Sequence, residues 1–246
     1  MKKCSFALPL RFLAFLLLLG LLTLLLFRCA SAYAPTLYDS PEGPHPLIQR
    51  VVLDAGHGGE DGGASSADGI VEKDLNLEIT LLLADLLRAN GIEVVLTRET
   101  DTLLYDRNMD YHGRKKALDL AARKKIAEET PESVFISIHM NTYPNTDCTG
   151  LQVWYSPNDP SSSALAEEIQ RTAKKLLQPE NDRKTKAAGS SIYLLHHIQT
   201  PAVLVECGFL STPAEAQLLS TPEYRQKLAF VLFCAIMQAE NPFLET

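Results

Sequence analysis

From residue 49 onward, short apolar runs alternate with longer stretches in which apolar residues recur at helical spacing. The apolar runs predict strands at 51–54, 92–97, 133–139, 149–155 and 201–206. The helical spacing predicts helices at 72–90, 113–129, 161–178 and 213–239, the last interrupted near Pro222. Residues 180–190 are expected to form a polar loop, and 192–195 a short strand or a turn. Helices that alternate with apolar strands predict a single α/β domain, with a mostly parallel twisted sheet covered by helices on both faces.

Residues 1–32 have the pattern of a hydrophobic export segment rather than of a folded domain. Two lysines and Arg11 precede an uncharged, leucine-rich run at 12–27, and Ala30-Ser31-Ala32 resembles a small-residue cleavage site. The segment is therefore either a cleaved signal peptide or a membrane anchor, and the long leucine run favours the anchor. The proline-rich residues 33–48 are expected to be a linker, and 49–241 the folded domain. In both cases the domain is expected to be extracytoplasmic.

The charge and the cysteines narrow the class of protein further. The net charge is -7, and residues 1–32 contain basic residues but no acidic one, so the exported part is more acidic than the whole chain. An acidic domain is a poor partner for nucleic acid. Cys148, Cys207 and Cys234 are an odd number without framework spacing, so we expect no disulfide scaffold. Cys207 and Cys234 lie in apolar surroundings and are expected to be small core residues.

Four side chains capable of chemistry stand at the ends of predicted strands or at the start of a predicted helix. His57 follows the first strand, His139 ends the third, Glu206 ends the fifth and Glu72 begins the first helix. In an open α/β sheet, ligands gather at the carboxyl ends of the strands. Two imidazoles, a carboxylate ligand and a second, free carboxylate are the components of a hydrolytic zinc site. The short-range HExxH signature is absent, so the ligands have to come from separate elements.

Each of these residues also has a purely structural explanation. Glu72 suits the first turn of a helix, where the helix dipole favours acids, His139 is compatible with a hydrogen-bonded core histidine, and Glu206 with a buried salt bridge. The glycine-rich loop around His57 resembles the start of a dinucleotide-binding loop, but the third glycine of that pattern falls on Asp61, whose carboxylate would face a pyrophosphate. We therefore favour the hydrolytic metal site, with Glu206 as a candidate general base.

The segments around these residues resemble, in order along 49–240, the zinc-dependent N-acetylmuramoyl-L-alanine amidases of the family often called amidase type 3. The matching motifs are Asp54-Ala-Gly-His-Gly-Gly, Glu72-Lys-Asp-Leu-Asn-Leu, Leu96-Thr-Arg, Ser137-Ile-His-Met-Asn and Leu204-Val-Glu-Cys-Gly-Phe-Leu-Ser. The sequence departs from the family pattern at Ala55 and Cys207, where other residues are more common, and neither position is a ligand. Residues 192–197 are also similar to the subgroup that acts on the spore cortex.

The resemblance implies that His57, Glu72 and His139 bind one zinc ion and that Glu206 is the catalytic carboxylate. The implied reaction is hydrolysis of the amide between the lactyl group of N-acetylmuramic acid and L-alanine in peptidoglycan, with a role in spore cortex maturation and a location at the cell wall. Two alternatives remain open, a non-catalytic peptidoglycan-binding or assembly module and an exported zinc peptidase that cuts inside the stem peptide. Loss of one of the four residues would favour the binding module, and all four are present.

Three further residues, Asn141, His197 and Arg98, are candidates for substrate binding. Asn141 could donate a hydrogen bond to a substrate carbonyl, and Arg98 could meet a substrate carboxylate. Of the adjacent His196 and His197, one is expected to line the substrate groove and the other to be exposed.

The resemblance also bears on how activity is controlled. Some periplasmic relatives carry an autoinhibitory helical insertion after the strand that follows the second histidine ligand. Here the helix predicted from residue 161 follows the strand ending at 155 almost directly, so no built-in plug is expected. Control is then expected to come from location, expression or an accessory protein, with membrane contact through the N-terminal segment if it is not cleaved.

Overall fold

The computed structural model describes Phe12, residues 18–24, Arg28, residues 48–106, Asn108 and residues 112–243. The chain forms two units, Met1–His45 and Pro46–Thr246. In the first unit, the residues that are described are helical and exposed. Among all the described residues, no helix has both the length and the apolar character needed to cross a membrane. Most of the predicted export segment, and residues 33–47 of the predicted linker, lie outside the described part of the chain.

The described residues of the second unit form six strands and six helices. The strands are β1 (Arg50–Ala55), β2 (Glu93–Leu96), β3 (Val134–Asn141), β4 (Gln152–Tyr155), β5 (Lys186–Ala187) and β6 (Ala202–Phe209). The helices are α1 (Glu72–Ala89), α2 (Lys115–Glu128), α3 (Ser161–Leu176), α4 (Tyr193–His197), α5 (Pro213–Leu219) and α6 (Pro222–Gln238). The predicted break near Pro222 is confirmed, because α5 ends at Leu219 and α6 begins with the proline, whose missing N–H suits a first helical turn.

The strands form one mostly parallel sheet in the order β2-β1-β3-β6-β4-β5. The pairs β1–β2, β1–β3, β3–β6 and β4–β5 are parallel, and only β4 pairs with β6 in the antiparallel sense. The carboxyl ends of the neighbouring central strands β1, β3 and β6 therefore lie side by side at the same end of the sheet. This is the end at which the candidate chemical residues were predicted.

Both faces of the sheet are buried, as predicted. Alternate side chains of β1 point to opposite faces, so that Val51 and Leu53 belong to one apolar cluster and Val52 to another. The larger cluster packs the sheet against α1, α3 and α6, and the smaller one packs it against α2 and α4. Such two-sided burial explains why the strands have continuous apolar runs rather than an alternating pattern.

Two local predictions are wrong. Residues 192–195 were expected to be a strand or a turn, but Tyr193–His197 is a short helix whose Leu194 and Leu195 are buried in the smaller cluster. Residues 180–190 were expected to be a loop throughout, but Lys186–Ala187 pairs with β4 and forms the sheet edge. In both cases tertiary packing overrides a weak local signal.

The cysteines follow the prediction in part. The three described cysteines, Cys148, Cys207 and Cys234, are free thiols. Cys207 is fully buried in the larger cluster, whereas Cys234 is only partly buried.

Candidate active site

Strands β3 and β6 continue past the two residues that were predicted to end them. His139 lies directly opposite Glu206 in the parallel pairing, and β3 runs on to Asn141 and β6 to Phe209. Beyond this pair the register shifts, because Asn141 is paired with Phe209. An irregularity of this kind re-aims side chains and is common next to active sites. The pairing places an imidazole and a carboxylate side by side near the carboxyl ends of two central strands.

Three side chains from separate elements converge beside this pair. The Nε2 of His57, in the loop after β1, lies 3.3 Å from Oε1 of Glu72, and Nδ1 of His139 lies 3.0 Å from the same oxygen. The two imidazole rings meet edge to face with their centroids 5.0 Å apart. One potential ligand atom from each residue lies within 4.8 Å of the others. We call His57, Glu72 and His139 the metal-ligand cluster.

Glu72 is held in place by backbone and side-chain donors. The N–H of Ala64 donates to Oε2 at 2.7 Å, and the N–H of Met140 donates to Oε1 at 3.0 Å. The amide of Asn76, one helical turn further along α1, donates to Oε1 at 3.3 Å. Burial acts to raise the pKa of Glu72, but the imidazoles of His139 and His57 outweigh it and hold the pKa well below its usual range. The carboxylate is therefore ionised and ready to bind a cation.

The loop after β1 can approach this cluster because it contains glycine at two crowded positions. A Cβ at Gly56 would lie 2.3 Å from the ring of His139, and a Cβ at Gly63, whose φ is +67°, would lie 2.6 Å from Oε2 of Glu72. His57 itself has a φ of 61°, a conformation that is costly for a residue with a side chain. Such strain persists only where the surrounding structure enforces it.

Two buried arginines hold the loop in this conformation by donating hydrogen bonds to its carbonyl groups. Arg123 of α2 donates to the carbonyls of Ala55 at 2.7 Å and His57 at 2.6 Å, and also to Oδ1 of Asp54 at 2.6 Å. Arg98 donates to the carbonyls of Ala55 at 2.9 Å and Gly56 at 3.0 Å. The loop backbone is therefore anchored by charge-assisted hydrogen bonds on its inner side.

The second ring nitrogen of His57 faces a carboxylate. Its Nδ1 lies 3.0 Å from Oδ1 of Asp61, which also accepts the N–H of Gly63 at 3.2 Å. Burial acts to lower the pKa of His57, but the carboxylates of Glu72 and Asp61 outweigh it and raise the pKa above its ordinary value. The contact is electrostatic, because Nδ1 makes no hydrogen bond within the described part of the chain, and it leaves Nε2 as the candidate ligand atom.

Glu206 differs from Glu72 in having no partner for one oxygen. Its Oε2 is buried and, within the described part of the chain, accepts no hydrogen bond. Burial raises the pKa of Glu206 to about 7; His139 pulls it down and Glu72 pushes it up. A carboxyl group with a pKa near neutrality can both take up and release a proton at working pH.

A cavity of about 250 Å³ opens over these groups. His57, His139 and Glu206 form part of its wall together with residues from α2 and from the segment at 191–194. The cavity gives a ligand access to His57, His139 and Glu206 at the same time.

The three candidates for substrate binding lie in different surroundings. Asn141 ends β3 two residues after His139 and is partly exposed, but it does not line the cavity described above. Arg98 is only 3% exposed and also donates to the carbonyls of Lys73 and Thr100, so its donors serve the protein backbone. His197 is exposed, and its Nδ1 lies 2.8 Å from the carbonyl of Tyr193.

The residues present fit a divalent metal ion. Two imidazole nitrogens and one carboxylate oxygen, drawn from three elements, form a set of ligands typical of catalytic metal sites that keep an open position. The buried, unpartnered Oε2 of Glu206 lies in the same cavity wall, outside this set. Three such residues and a free carboxylate at the carboxyl end of an α/β sheet are the residue composition found in the class of metal-dependent hydrolases.

Comparison with known proteins narrows this class to one family. The family described as N-acetylmuramoyl-L-alanine amidase matches residues 51–238. The chain therefore belongs to the N-acetylmuramoyl-L-alanine amidase family, and the predicted peptidoglycan amidase is confirmed.

Individual relatives agree with the family. The germination-specific N-acetylmuramoyl-L-alanine amidase of Bacillus subtilis is 35% identical over 194 residues, which cover 78% of this chain and 81% of that protein. The amidase AmiA of Escherichia coli is 30% identical, covering 73% of this chain and 72% of its own length. The CwlD amidase of Clostridioides difficile, solved in complex with the GerS lipoprotein, superposes with a TM-score of 0.73 at 37% identity, over 78% of this chain and 98% of that one.

Some residues that shape the site were not recognised from the sequence. Arg123, Asp119 and Asn76 hold the loop or the ligands, yet only Asn76 lies within a recognised motif. A buried polar residue one turn after Glu72 in an otherwise apolar helix face was an available signal for Asn76. Arg123 lay in a run of charged residues on α2, where solvent exposure is the ordinary expectation.

Proposed function

We propose that this amidase uses one zinc ion, bound by His57, Glu72 and His139, to cleave the amide between the lactyl group of N-acetylmuramic acid and L-alanine of peptidoglycan. The observation that carries the proposal is the convergence of these three ligands within 4.8 Å beside a free, buried carboxylate. Zinc in such a site supplies Lewis-acid chemistry, polarising a carbonyl and lowering the pKa of water.

The residues of the chain then have distinct tasks. Glu206 takes the proton of the attacking water and returns it to the nitrogen of the leaving L-alanine, which its pKa of about 7 suits. Asp61 orients His57 through Nδ1, and the backbone N–H groups of Ala64 and Met140 orient Glu72. Asn141, at the end of β3, would donate a hydrogen bond to the substrate. For Arg98, the contacts favour support of the loop over substrate binding.

The relatives support a proposal about the setting of the reaction. The Bacillus subtilis relative is named as germination-specific, and we propose that this chain likewise acts outside the cytoplasm on the peptidoglycan of the spore cortex. The Clostridioides difficile relative was solved with a lipoprotein, and we propose an accessory protein for this chain as well. Helix α3 begins at Ser161, soon after β4 ends at Tyr155, which leaves little room between them for an autoinhibitory helix. If the isolated chain cleaves purified sacculi as fast as it does with an accessory protein added, the proposal that it needs a partner is wrong.

The reaction itself is tested by digesting purified sacculi. An amidase frees intact glycan from whole stem peptides, a zinc peptidase cuts within the stem, and a binding module releases nothing. Glu206→Gln should retain zinc and lose activity by about 10²- to 10⁴-fold, because it removes the proton carrier and leaves the ligands untouched. The matched control is Glu180→Gln, which alters an exposed carboxylate and should leave turnover unchanged. Equal turnover in Glu206→Gln and wild type would remove Glu206 from the mechanism, and zinc retained at full occupancy in His57→Ala would overturn the ligand set.

A further inference from the structure

Helix α4 forms one wall of the cavity over the metal-ligand cluster. The cavity is lined on this side by Ser191, Ile192, Tyr193 and Leu194. Among the described lining residues, the aromatic side chains are Tyr193 and the two histidines of the site. The sequence had pointed to His197 as the substrate contact from this segment. In the structure the large side chain that faces the cavity is Tyr193.

The helix that carries Tyr193 is firmly anchored. Leu194, Leu195 and Ile198 are buried in the smaller apolar cluster, at 5%, 0% and 0% exposure. The amide of Asn158 donates to the carbonyls of His196 at 3.0 Å and Ile198 at 2.8 Å, at the carboxyl end of the helix. A short helix held from both sides presents its exposed residues in a defined position.

The ring of Tyr193 is backed by a second ring. Its centroid lies 4.2 Å from that of His197, with the planes inclined by 30°, and the ring of His196 meets His197 edge to face at 5.0 Å. The hydrogen-bonded Nδ1 of His197 fixes its ring against the helix. Tyr193 nevertheless remains 36% exposed. The result is a rigid, flat aromatic surface at the edge of the reaction cavity.

The lining residues offer two kinds of surface to a muramyl-peptide substrate. Lys116 and Asp61 bring charge to the cavity from α2 and the loop after β1, which suits the polar, carboxylate-bearing stem peptide. Tyr193 and Ile192 provide an apolar wall, which suits a ring with C–H groups on its faces. In the substrate, only the sugar has such faces.

We propose that Tyr193, backed by His197, binds the pyranose ring of the muramic acid residue and so holds the substrate in the reaction cavity. This inference rests on the proposed amidase function and extends it by assigning a sugar subsite. The side chain touches the substrate without taking part in proton transfer, so its loss should weaken binding more than turnover.

Two substrates with the same scissile bond test the assignment. One is a glycan fragment bearing the stem peptide, and the other is the same peptide acylated by lactic acid, with no sugar. Tyr193→Leu should raise KM for the glycan substrate about tenfold, change kcat little and leave the lactoyl-peptide unaffected, since the flat ring alone is lost. Tyr193→Phe should behave as wild type. Phe230→Leu, which removes a ring that is 52% exposed on α6, is the matched control.

Each outcome decides the assignment. An equal rise in KM for both substrates would place the ring against the peptide or in a structural role, and an unchanged KM for both would show no contact; either result overturns the sugar subsite. If the isolated wild type cleaves neither substrate, KM does not report on the subsite, which is then judged separately from the proposed function with glycan freed of stem peptides as a binding probe. Binding of that glycan to Glu206→Gln, weakened about tenfold by adding Tyr193→Leu, supports the subsite, and undiminished or absent binding overturns it.

Discussion

Two groups of charged residues adjoin the loop after β1, and they are built differently. In the first group, Arg123 donates to Asp54 at 2.6 Å and to Asp119 at 2.8 Å, and Asp54 also accepts the hydroxyls of Thr97 and Ser137. We call Asp54, Asp119 and Arg123 the buried ion-pair network. The second group is the metal-ligand cluster, whose potential ligand atoms converge, and Glu206 beside it has a buried oxygen without a partner in the described part of the chain.

The comparison separates support from chemistry. In the buried ion-pair network, burial acts to raise the pKa of Asp54, but Arg123 together with the hydroxyls of Ser137 and Thr97 outweighs it and holds the pKa below its usual range. Glu206 has no such cation, so burial prevails and its pKa rises to about 7. Saturated polar groups make the loop rigid, whereas unsaturated ones remain available to a metal ion, a water molecule and a substrate.

The largest effect is expected from breaking the buried ion-pair network. Arg123→Met leaves two carboxylates without their shared cation and should lower the free energy of unfolding by about 3–5 kcal/mol in urea denaturation at neutral pH. Arg171→Met is the control, because Arg171 pairs with Glu168 at the surface and its loss should change stability by about 0–1 kcal/mol. Similar losses in the two variants would mean that the network does not support the loop.

A smaller effect of opposite sign is expected at Glu206 in the metal-free protein. The unfolded chain releases the proton of this group near pH 4.5, whereas the folded protein holds it to about pH 7. Between these values the folded state binds more protons, so wild type loses stability as pH rises, by roughly 3 kcal/mol in total.

Glu206→Gln has no such proton to lose, so the variant should be more stable than wild type at pH 8 and similar to it at pH 4. Thermal unfolding in chelator at both pH values measures the difference. Parallel pH profiles of the two proteins would show that Glu206 is ionised and well solvated in the fold.

The smallest effect is expected at Asp61, which faces the metal-ligand cluster through His57. Asp61→Asn removes the charge that faces Nδ1 of His57 and should weaken zinc binding by about 10- to 100-fold, as measured by competition with a chelator. Asp68→Asn, in the same loop but exposed, is the control and should bind zinc as wild type does. Unchanged affinity in Asp61→Asn would mean that the loop backbone alone orients His57.

The sequence predicted most of the elements because strong apolar periodicity and packing agree in this chain. The strands β1, β3 and β6 and the long helices were predicted from that periodicity. Helix α4 was not, because the apolar run Ile192–Leu195 is compatible with a strand, and only the cluster around Leu195 selects the helical form. Strand β5 has two residues and no local signal at all.

The site shows the same division. Residue types and their position after apolar runs were enough to select two histidines and two glutamates. Their roles as ligands and base were implied by family resemblance and remain proposals here. Arg123, by contrast, lies on a helix rich in charged residues. Only the folded structure shows that its side chain is almost fully buried and donates to the carbonyls of the loop.

By itself, the sequence determined the α/β class, the order of the main elements and the side chains available for chemistry, because hydrophobic period and residue type are local properties. Only the tertiary structure decided that β3 and β6 align His139 with Glu206, that one carboxylate is saturated while another is not, and that Tyr193 rather than His197 faces the cavity. These are properties of distances between residues far apart in the chain, and burial and charge act through such distances.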